Sequence, residues 1–546
     1  MGFGSALAAA GPGAQAATTS DPFPEAVEPD GTVVQTRKVA TVPSASGPAR
    51  LNRLVSPYDG SGRVFVNDQR GQLYVVTPGD ASDLPAAELF LDLNDFPISG
   101  QTPRVTFEGG FQSFTFHPEF AGNGKFYTFH TVRGRNATPD FDVTGNDAFN
   151  ILVNEWTDPT PGDNVYDGAA PRELLRIGSP GDGHFGSALA FNHHAQPGDA
   201  DYGNLYVSIG DTGFPADRFD TGQDRNNLSA SILRIDPAGT NGVNGRYGVP
   251  DDNPFLDDGD VFDEVFALGV RNPQSLTFDP ETGRGFFADI GSGVVEEVNL
   301  LTPGANYGWS EREGPFGFVP GPGGDPSDVV DLTPTPAGFT DPIAAYDHDE
   351  GFAITGGPVV RNAASALNGR YLFGDLVRGR LFTINADDPS AGGIDGIREV
   401  LLTDETGTVE GDFLDLLQAE NASITRADLR FGEDEFGNLY LINKQDSTIR
   451  VLVNAGLAGD FDGNGIVAQG DLNRVLNNWG LPRGDWENAD DFATLAIDQE
   501  ELNRVLNNWG STAGVAPNLH GSDVPEPGWA AGLVGIAALR ARRRGT

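Results

Sequence analysis

The sequence predicts an all-β fold, a six-bladed β-propeller, followed by a small α-helical domain that binds calcium. Two observations favour it. The 546 residues include 73 glycines and 38 prolines, a composition typical of many tight turns. Strand-like segments also recur along the chain, whereas amphipathic helical patterns are scarce before about residue 470.

The repeated unit is a turn glycine followed by a strand of alternating apolar residues. It occurs at 62–66, 124–129, 203–207, 283–288, 369–373 and 437–442. Most copies follow a second strand and a polar turn, so each unit is predicted to be a hairpin. Hairpin sheets arranged radially bury one another's faces, and six units therefore predict six blades. A β-sandwich and a seven-bladed propeller are the alternatives. The irregular spacing predicts long loops at 133–150 and 307–340.

The charge balance narrows the classes of partner. The chain carries 35 basic and 78 acidic residues, a net charge of −43, which disfavours binding to nucleic acid and favours cations. There is no cysteine, so disulfides and thiolate chemistry are excluded.

Both ends of the sequence have the pattern of processing segments. Residues 1–20 are mostly small and apolar and contain an A-x-A pattern at 14–16, which is typical of a signal peptide. At 523–546 the letters VPEP precede an apolar run and a cluster of arginines, and this order resembles a PEP-CTERM sorting signal. The run is shorter than the roughly 20 residues that span a bilayer. We therefore expect an exported protein, periplasmic, cell-surface or extracellular, with only transient membrane association.

Five stretches resemble the glucose/sorbosone dehydrogenase family, in that family's order, within a domain predicted at 40–455. They are GDGHFG at 181–186 with LAFN and LYVSIGD at 189–192 and 205–211, ALGVRNPQ at 267–274, EEVNL and GANYGW at 296–300 and 304–309, YDH at 346–348, and YLFGD at 371–375. The resemblance implies a propeller that oxidises an aldose or related sugar alcohol to a lactone or ketone, with pyrroloquinoline quinone (PQQ) and calcium.

His184 is the predicted catalytic base. Oxidation of a sugar alcohol needs a group that takes the hydroxyl proton while hydride leaves carbon, and an imidazole that titrates near neutrality suits this task. Tyr346 and His348 lie on one face if extended and are predicted, with Trp309, to line the substrate pocket. His348 is the second candidate for the base.

The resemblance also implies the cofactor contacts. PQQ carries three carboxylates, so its binding to an acidic protein needs local cations. The family motif places Arg271 and Asn272 at the quinone, and Arg378 is a plausible second cation. The lysine that contacts the cofactor in the best-known members has no convincing counterpart in the sequence, and Arg361 is the nearest candidate. The family's calcium is held largely by backbone carbonyls, in a segment that matches Gly291 and Ser292.

A second domain is predicted at 458–512. If Asp460 is position 1 of a loop, oxygen donors occupy positions 3, 5, 7 and 12, which is the EF-hand pattern. Those ligands are Asp462, Asn464, the carbonyl of Ile466, and Asp471. The loop and its following helix resemble a type I dockerin, and a near copy of the helix stands at 501–510 after a degenerate loop. The resemblance implies a cohesin as a possible partner.

Two other functions are open at this stage. The first is a non-catalytic propeller that binds carbohydrate or protein at the cell exterior, which the missing lysine favours. The second is a calcium-dependent lactonase, which needs several acidic ligands at the central channel, and no such set stands out in the sequence.

Overall fold

The computed structural model describes residues 18–453, except 79–83, 135–136, 144–146, 322–327, 363–364 and 390–392, and also residues 475–476. Regular structure within these residues is almost all β. The helical elements of the described part of 18–453 are a 3-10 turn, Leu93–Asp95, and the helices α1, Phe120–Asn123, and α2, Phe413–Glu420. The all-β prediction is confirmed, while the predicted dockerin-like domain and sorting segment lie outside the described residues.

Most strands form antiparallel sets of four. The first set is β2 (Leu51–Val55), β3 (Val64–Asp68), β4 (Gln72–Val76) and β5 (Glu88–Asp92). The second is β6 (Phe111–Phe116), β7 (Lys125–Arg133), β8 (Phe149–Thr157) and β9 (Arg172–Ser179). The third is β10 (Leu189–Phe191), β11 (Leu205–Ile209), β12 (Ser231–Ile235) and β13 (Val265–Leu268).

The later sets complete the pattern. The fourth is β14 (Ser275–Phe278), β15 (Gly285–Asp289), β16 (Val295–Leu301) and β20 (Ala344–Asp347). The fifth is β21 (Ile354–Val359), β22 (Arg370–Asp375), β23 (Leu381–Asn385) and β24 (Arg398–Thr403), with β25 (Glu410–Gly411) on β24. The sixth is β26 (Arg430–Glu433), β27 (Leu439–Ile442), β28 (Thr448–Val453) and β1 (Pro29–Thr41). A small separate sheet contains β17 (Arg312–Glu313), β18 (Phe316–Val319) and β19 (Asp328–Val330).

The first strands of the sets contact one another in a closed cycle. Strand β2 contacts β6, which contacts β10, and the contacts continue through β14, β21 and β26 back to β2. Strand β1 joins the sixth set antiparallel to β28, so the two ends of the described ring share a sheet. This cyclic arrangement is propeller-like. We call the end of the ring at which the first strands begin the upper end, and the opposite end the lower end.

The six glycine-led segments coincide with the second strands of the sets, β3, β7, β11, β15, β22 and β27. In each segment the leading glycine has a positive φ, between 65° and 78°. At Gly124 a Cβ atom would lie 1.9 Å from the carbonyl oxygen of Asp158, so both the turn and the close approach require glycine. The sequence repeat is therefore the signal of one turn geometry used in every set.

Two features of the sheets were not predicted. The segment 307–340, expected as a loop, contains the small sheet of β17, β18 and β19. The sheets also begin before residue 40, because β1 completes the sixth set. Strand β1 is an outer strand whose charged and polar side chains hide its alternation, and its partner β28 lies about 400 residues further along the chain.

Apolar side chains fill the spaces between neighbouring sets. Between the second and third sets, Tyr127 and Phe129 pack with Phe191 and Val207 in one buried cluster. Burial of such side chains contributes about 1.5–3 kcal/mol each. The strands are thus held by contacts on both faces, and the loops at the ends of the ring are free to carry polar groups. Within residues 18–453, no helix has both the length and the apolar character needed to cross a membrane.

Candidate functional site

A cluster of buried polar side chains lies at the upper end of the ring. We call His184, Asp211, Arg271 and Trp309 the His184 cluster. The Nδ1 atom of His184 lies 2.7 Å from Oδ1 of Asp211, and Trp309 Nε1 donates to Oδ2 of the same carboxylate at 2.9 Å. Arg271 Nη2 lies 3.3 Å from His184 Nε2, and its guanidinium stacks over the Trp309 ring at 5.2 Å. One carboxylate therefore orients both the imidazole and the indole.

The loop before β10 holds His184 in an unusual backbone conformation. Its φ is +52°, in the left-handed region that costs a non-glycine residue of order 1 kcal/mol. The strain is balanced by hydrogen bonds, since the His184 amide donates to Glu108 at 2.6 Å and its carbonyl accepts from Thr212 at 3.1 Å. The residue is only 6% exposed. Strained backbone of this kind is common at functional sites.

Arg271 is fixed by the loop between β13 and β14. Its amide donates to Asp289 at 2.7 Å, and the next amide, of Asn272, donates to the same carboxylate at 2.6 Å. Arg271 Nη1 donates to the carbonyls of Ile290 and Gly291, at 3.0 and 2.6 Å. Its Nε atom is buried and has no hydrogen-bond partner among the described residues. This guanidinium thus has donor capacity left for a ligand.

Asn272 links two first strands at the upper end. Its Oδ1 atom accepts from the amide of Gly186 at 3.2 Å, and its Nδ2 atom donates to Glu108 at 3.3 Å. Since Glu108 also accepts from the His184 amide, these three residues form one network. Asn272 therefore orients the loop that carries the imidazole.

Two buried carboxylates lie beneath Arg271. Burial raises the pKa of Asp289, against the opposing effect of its two backbone hydrogen bonds. Burial also raises the pKa of Glu297, and the charge of Asp289 raises it further. For both groups the folded protein therefore favours the protonated form more than the unfolded chain does.

Replacement of Glu297 by glutamine tests this pair. The pKa of Glu297 in the folded protein lies above its unfolded value of about 4.3. Between these two pKa values the folded state binds more protons than the unfolded chain, so the free energy of unfolding falls as pH rises through this interval. Glutamine carries no charge, and its side-chain oxygen can still accept from Asn299 Nδ2, which donates to Glu297 Oε1 at 3.0 Å. We expect the thermal midpoint of Glu297→Gln to exceed that of the wild type by about 1–3 °C at pH 8 and by less at pH 5. The exposed control Glu25→Gln should show no such pH-dependent difference. An equal shift at both pH values contradicts the assignment.

His348 and Arg378 join the cluster through Glu296. His348 Nε2 lies 3.0 Å from Oε1 of Glu296, whose Oε2 accepts from the amide of Gly291 at 3.2 Å. Burial would lower the pKa of His348, but the hydrogen bond and charge of Glu296 outweigh it and raise the pKa. Arg378 Nη2 donates to the His348 carbonyl at 3.2 Å, and its guanidinium lies 4.5 Å from the Phe352 ring centre. The predicted residues at 184, 271, 291 and 378 thus lie at one end of the ring.

The loop with Gly291 and Ser292 is organised by one carboxylate. Oε1 of Glu313 accepts four backbone N–H groups, those of residues 292 to 295, at 2.8–3.0 Å. The carbonyl of Gly291, a predicted calcium ligand, accepts instead from Arg271. Within residues 18–453 there is also no group of three or more His, Asp or Glu side chains able to hold a metal. The Gly291 carbonyl is therefore already engaged by a cationic side chain, and calcium at this loop stays a prediction. The predicted EF-hand ligands Asp460, Asp462, Asn464, Ile466 and Asp471 lie outside the described residues.

Two cations that sequence reasoning missed lie at the upper end. Arg430 begins β26 and donates to Gln274 at 3.3 Å. Lys444 follows β27, and burial, followed by the charge of Arg430, lowers its pKa well below the usual range. Its amino group has no hydrogen bond or ion pair to the part of the chain that is described. No local pattern marks Lys444, since it belongs to an ordinary polar turn at 443–446.

Two predicted residues are not brought to the cluster. Tyr346 is fully buried in a hydrophobic cluster, with its ring 5.3 Å from that of Phe382. Arg361 follows β21 and so lies at the lower end, where it pairs with Asp279 at 2.6 Å and Asp387 at 2.8 Å. Tyr346 therefore lies in the core and not in a pocket, and Arg361 lies too far away to contact a ligand bound at the upper end.

An open cleft of about 500 Å³ adjoins the cluster. Phe318, on one wall, lies 4.9 Å from the Trp309 ring. Pro215, on another, follows Phe214, whose exposed ring lies 5.6 Å from that of His184. Asp217 in the lining accepts from Ser310 Oγ at 2.8 Å. The cleft combines aromatic and polar groups, as small-molecule sites commonly do.

The fold and this cluster define a propeller-like protein with a carboxylate-oriented histidine at one end of its ring. Residues 54–400 match the profile of the Glucose / Sorbosone dehydrogenase family. The chain belongs to that family.

Three curated relatives are each similar to part of the chain. HIPL1 protein of Arabidopsis thaliana is 31% identical over 380 residues, which cover 60% of this chain and 51% of that protein. Aldose sugar dehydrogenase YliI of Escherichia coli is 24% identical, over 45% of this chain and 57% of that protein. Hedgehog-interacting protein of Mus musculus is 27% identical, over 40% and 29%. The chain thus spans about half the length of HIPL1 protein.

A solved structure shows the same fold. The apo form of the soluble aldose sugar dehydrogenase of Escherichia coli superimposes with a TM-score of 0.53 at 17% sequence identity, covering 77% of this chain and 98% of that one. At this level of identity the comparison concerns the fold alone.

Proposed function

We propose that the protein is an exported, PQQ-dependent oxidoreductase that oxidises an aldose or related sugar alcohol at the upper end of a six-bladed propeller. The observation that carries the proposal is the pair of contacts at His184, with Asp211 at Nδ1 and Arg271 at Nε2. Membership of the Glucose / Sorbosone dehydrogenase family supports the reaction class. The six sets of four strands, with their first strands in a closed cycle, support six blades.

The cations at the upper end fit a cofactor with three carboxylates. Lys444 makes no hydrogen bond or ion pair with the described residues, although the charges of Asp428 and Glu108 act on it, and Arg271 Nε is buried and unpaired. These groups, together with Asn272, would hold PQQ, which when bound supplies an electrophilic quinone that accepts a hydride. Calcium would bind at the backbone carbonyls of Gly291 and Ser292, and no step of the reaction is assigned to it.

The protein's own residues supply the proton transfer. Asp211 accepts the Nδ1 proton of His184, so the Nε2 atom carries the lone pair. A substrate hydroxyl that takes the place of the Arg271 contact gives its proton to Nε2 while its carbon loses hydride. The imidazolium that forms is stabilised by the Asp211 carboxylate. The apolar walls of the adjoining cleft, Phe318 and Pro215, suit the apolar face of a sugar ring.

The test adds PQQ, with and without calcium, to the purified chain. We expect a shift in the cofactor's absorbance and reduction of a redox dye with at least one aldose. Failure to bind PQQ under either condition contradicts the oxidoreductase proposal. Binding without turnover across the aldoses assigns the substrate to another class of alcohol.

A non-catalytic propeller that binds carbohydrate or protein is the second candidate. Similarity to Hedgehog-interacting protein favours it, as does the Arg271 hydrogen bond that occupies Nε2 of His184 in the present arrangement. Absence of PQQ binding, combined with retention on a carbohydrate column, would support this candidate.

We further propose that the tail at 458–512 is a dockerin-like domain that binds one calcium ion at Asp460 and its loop partners and pairs with a cohesin-type protein. The spacing of oxygen donors in the loop supports this proposal. The segment 523–546 would hold the protein at the membrane transiently before processing, and the apolar run with its terminal arginines supports this.

A further inference from the structure

A narrow channel runs between the first strands of the ring. Its described lining comes from β2, β6, β14, β21 and β26 and includes two arginines and no carboxylate. This charge pattern is opposite to that of the whole chain, which carries a net charge of −43. The channel is therefore a local positive region in a strongly acidic protein.

Neither of the two arginines, Arg53 and Arg430, forms an ion pair with a described residue, although the charges of Asp428 and Glu108 act on Arg430. Arg430 donates to the carbonyl of Leu429 at 2.9 Å and to Gln274 Oε1 at 3.3 Å, both neutral acceptors. The Arg53 guanidinium makes no hydrogen bond or ion pair within residues 18–453, and its Nε atom is buried. Burial lowers the pKa of both groups, that of Arg430 to about 10. Both residues are partly buried, and a guanidinium held away from bulk water without an ion pair is costly.

Three neutral side chains point unmatched polar atoms into the same space. Ser113, Gln112 and Asn52 are 3%, 5% and 8% exposed, and each lines the channel. Ser113 Oγ, Gln112 Nε2 and Asn52 Oδ1 have no hydrogen-bond partner in the described chain. The Asn52 amide is oriented by donation to Gln112 Oε1 at 3.1 Å. Two of the three free atoms are thus donors, next to two guanidinium groups.

We propose that this channel binds one small monovalent anion of chloride size. The anion would accept hydrogen bonds from Arg53, Arg430, Gln112 and Ser113, and it would compensate the buried positive charge. The cavity volume in the channel is about 10 Å³, close to the minimum for one small particle. This size excludes phosphate and dicarboxylates.

The proposal goes beyond the proposed oxidoreductase function and does not depend on it. The channel site uses Arg53, Arg430 and the amides of the inner strands, whereas the proposed reaction uses His184 and Arg271. An anion site without PQQ binding, or PQQ binding without an anion site, would therefore separate the two proposals.

Bromide provides a direct test in the wild-type protein without added cofactor. Crystals soaked with bromide in place of chloride are expected to show an anomalous peak in the channel, within hydrogen-bond distance of Arg53 and Arg430. A channel that contains only water, with no peak there, overturns the proposal. This measurement needs no variant and so does not depend on how a substitution folds.

Stability in solution provides the second test. The thermal midpoint of the wild type should rise with chloride concentration and reach a plateau. Gluconate, which is too large for the channel, replaces chloride in the titration so that the ionic strength stays constant. In Arg53→Gln the apparent Kd for chloride should be at least about tenfold higher than in the wild type. The exposed control Arg218→Gln should behave as the wild type. Equal midpoints in chloride and gluconate for the wild type, or an unchanged Kd in Arg53→Gln, contradict the site.

Discussion

Replacement of His184 by asparagine is expected to lower dye reduction by about 10²- to 10⁴-fold, the usual contribution of a general base. The asparagine Nδ2 group can still donate to Asp211, which now accepts from His184 Nδ1 at 2.7 Å, so the loop should keep its shape. The variant should therefore bind PQQ with an affinity close to that of the wild type. The measurement pairs steady-state turnover with an absorbance titration of the cofactor.

The matched control for this substitution is His194→Asn. His194 follows β10 at the lower end, is exposed, and contacts the carbonyl of Pro280 at 3.0 Å. Its replacement should leave turnover unchanged. If His184→Asn retains full turnover, His184 has no role as the base, and His348, which contacts Glu296 at the same end, becomes the candidate to replace next.

Replacement of Arg271 by glutamine should have the second large effect, a loss of PQQ affinity by at least about tenfold. The guanidinium lies over the Trp309 ring, contacts His184 and has a free buried Nε donor. The substitution therefore removes the positive charge and also the planar group that makes these contacts. Arg271→Lys keeps the charge but not the planar fork and should have an intermediate affinity. Binding is measured by titration with PQQ.

The control for Arg271 is Arg378→Gln at the same end of the ring. Arg378 stacks on Phe352 and donates to backbone carbonyls rather than to the His184 cluster, so its replacement should weaken PQQ binding less than that of Arg271. An unchanged affinity in Arg271→Gln would exclude Arg271 from the cofactor site. A larger effect at Arg378 would indicate that the carboxylates of PQQ bind nearer to His348.

Prediction from sequence succeeded where a residue type was needed for a local reason. The repeated glycines identified the second strands because the turn before each strand needs a residue with a positive φ. Glycine adopts this conformation at little cost, so the residue type alone indicates the turn. His184 and Arg271 were found through motifs, and they are adjacent in space although 87 residues separate them. Asp211 ended one of the quoted motifs, yet its role as the orienting carboxylate became visible only in its contacts with His184 and Trp309.

Prediction was weaker where a residue's role depends on which end of the ring it reaches. Arg361 was the nearest cation in the sequence, but it follows a first strand and pairs with Asp279 at the lower end. Lys444 follows a second strand, which returns the chain to the upper end. Tyr346 and His348 stand two residues apart, yet one lies in the core and the other contacts Glu296. Strand direction and burial decided these outcomes.

The sequence by itself determined the all-β character, the repeat of glycine-led strands and the family to which the chain belongs. These properties depend on backbone conformation and on short motifs, which local residue order encodes. Only the tertiary structure decided that His184, Asp211, Arg271 and Lys444 share one end of the ring, and that Arg53 and Arg430 share the channel. Those arrangements depend on how the sheets close on one another, since ring closure brings together residues hundreds of positions apart.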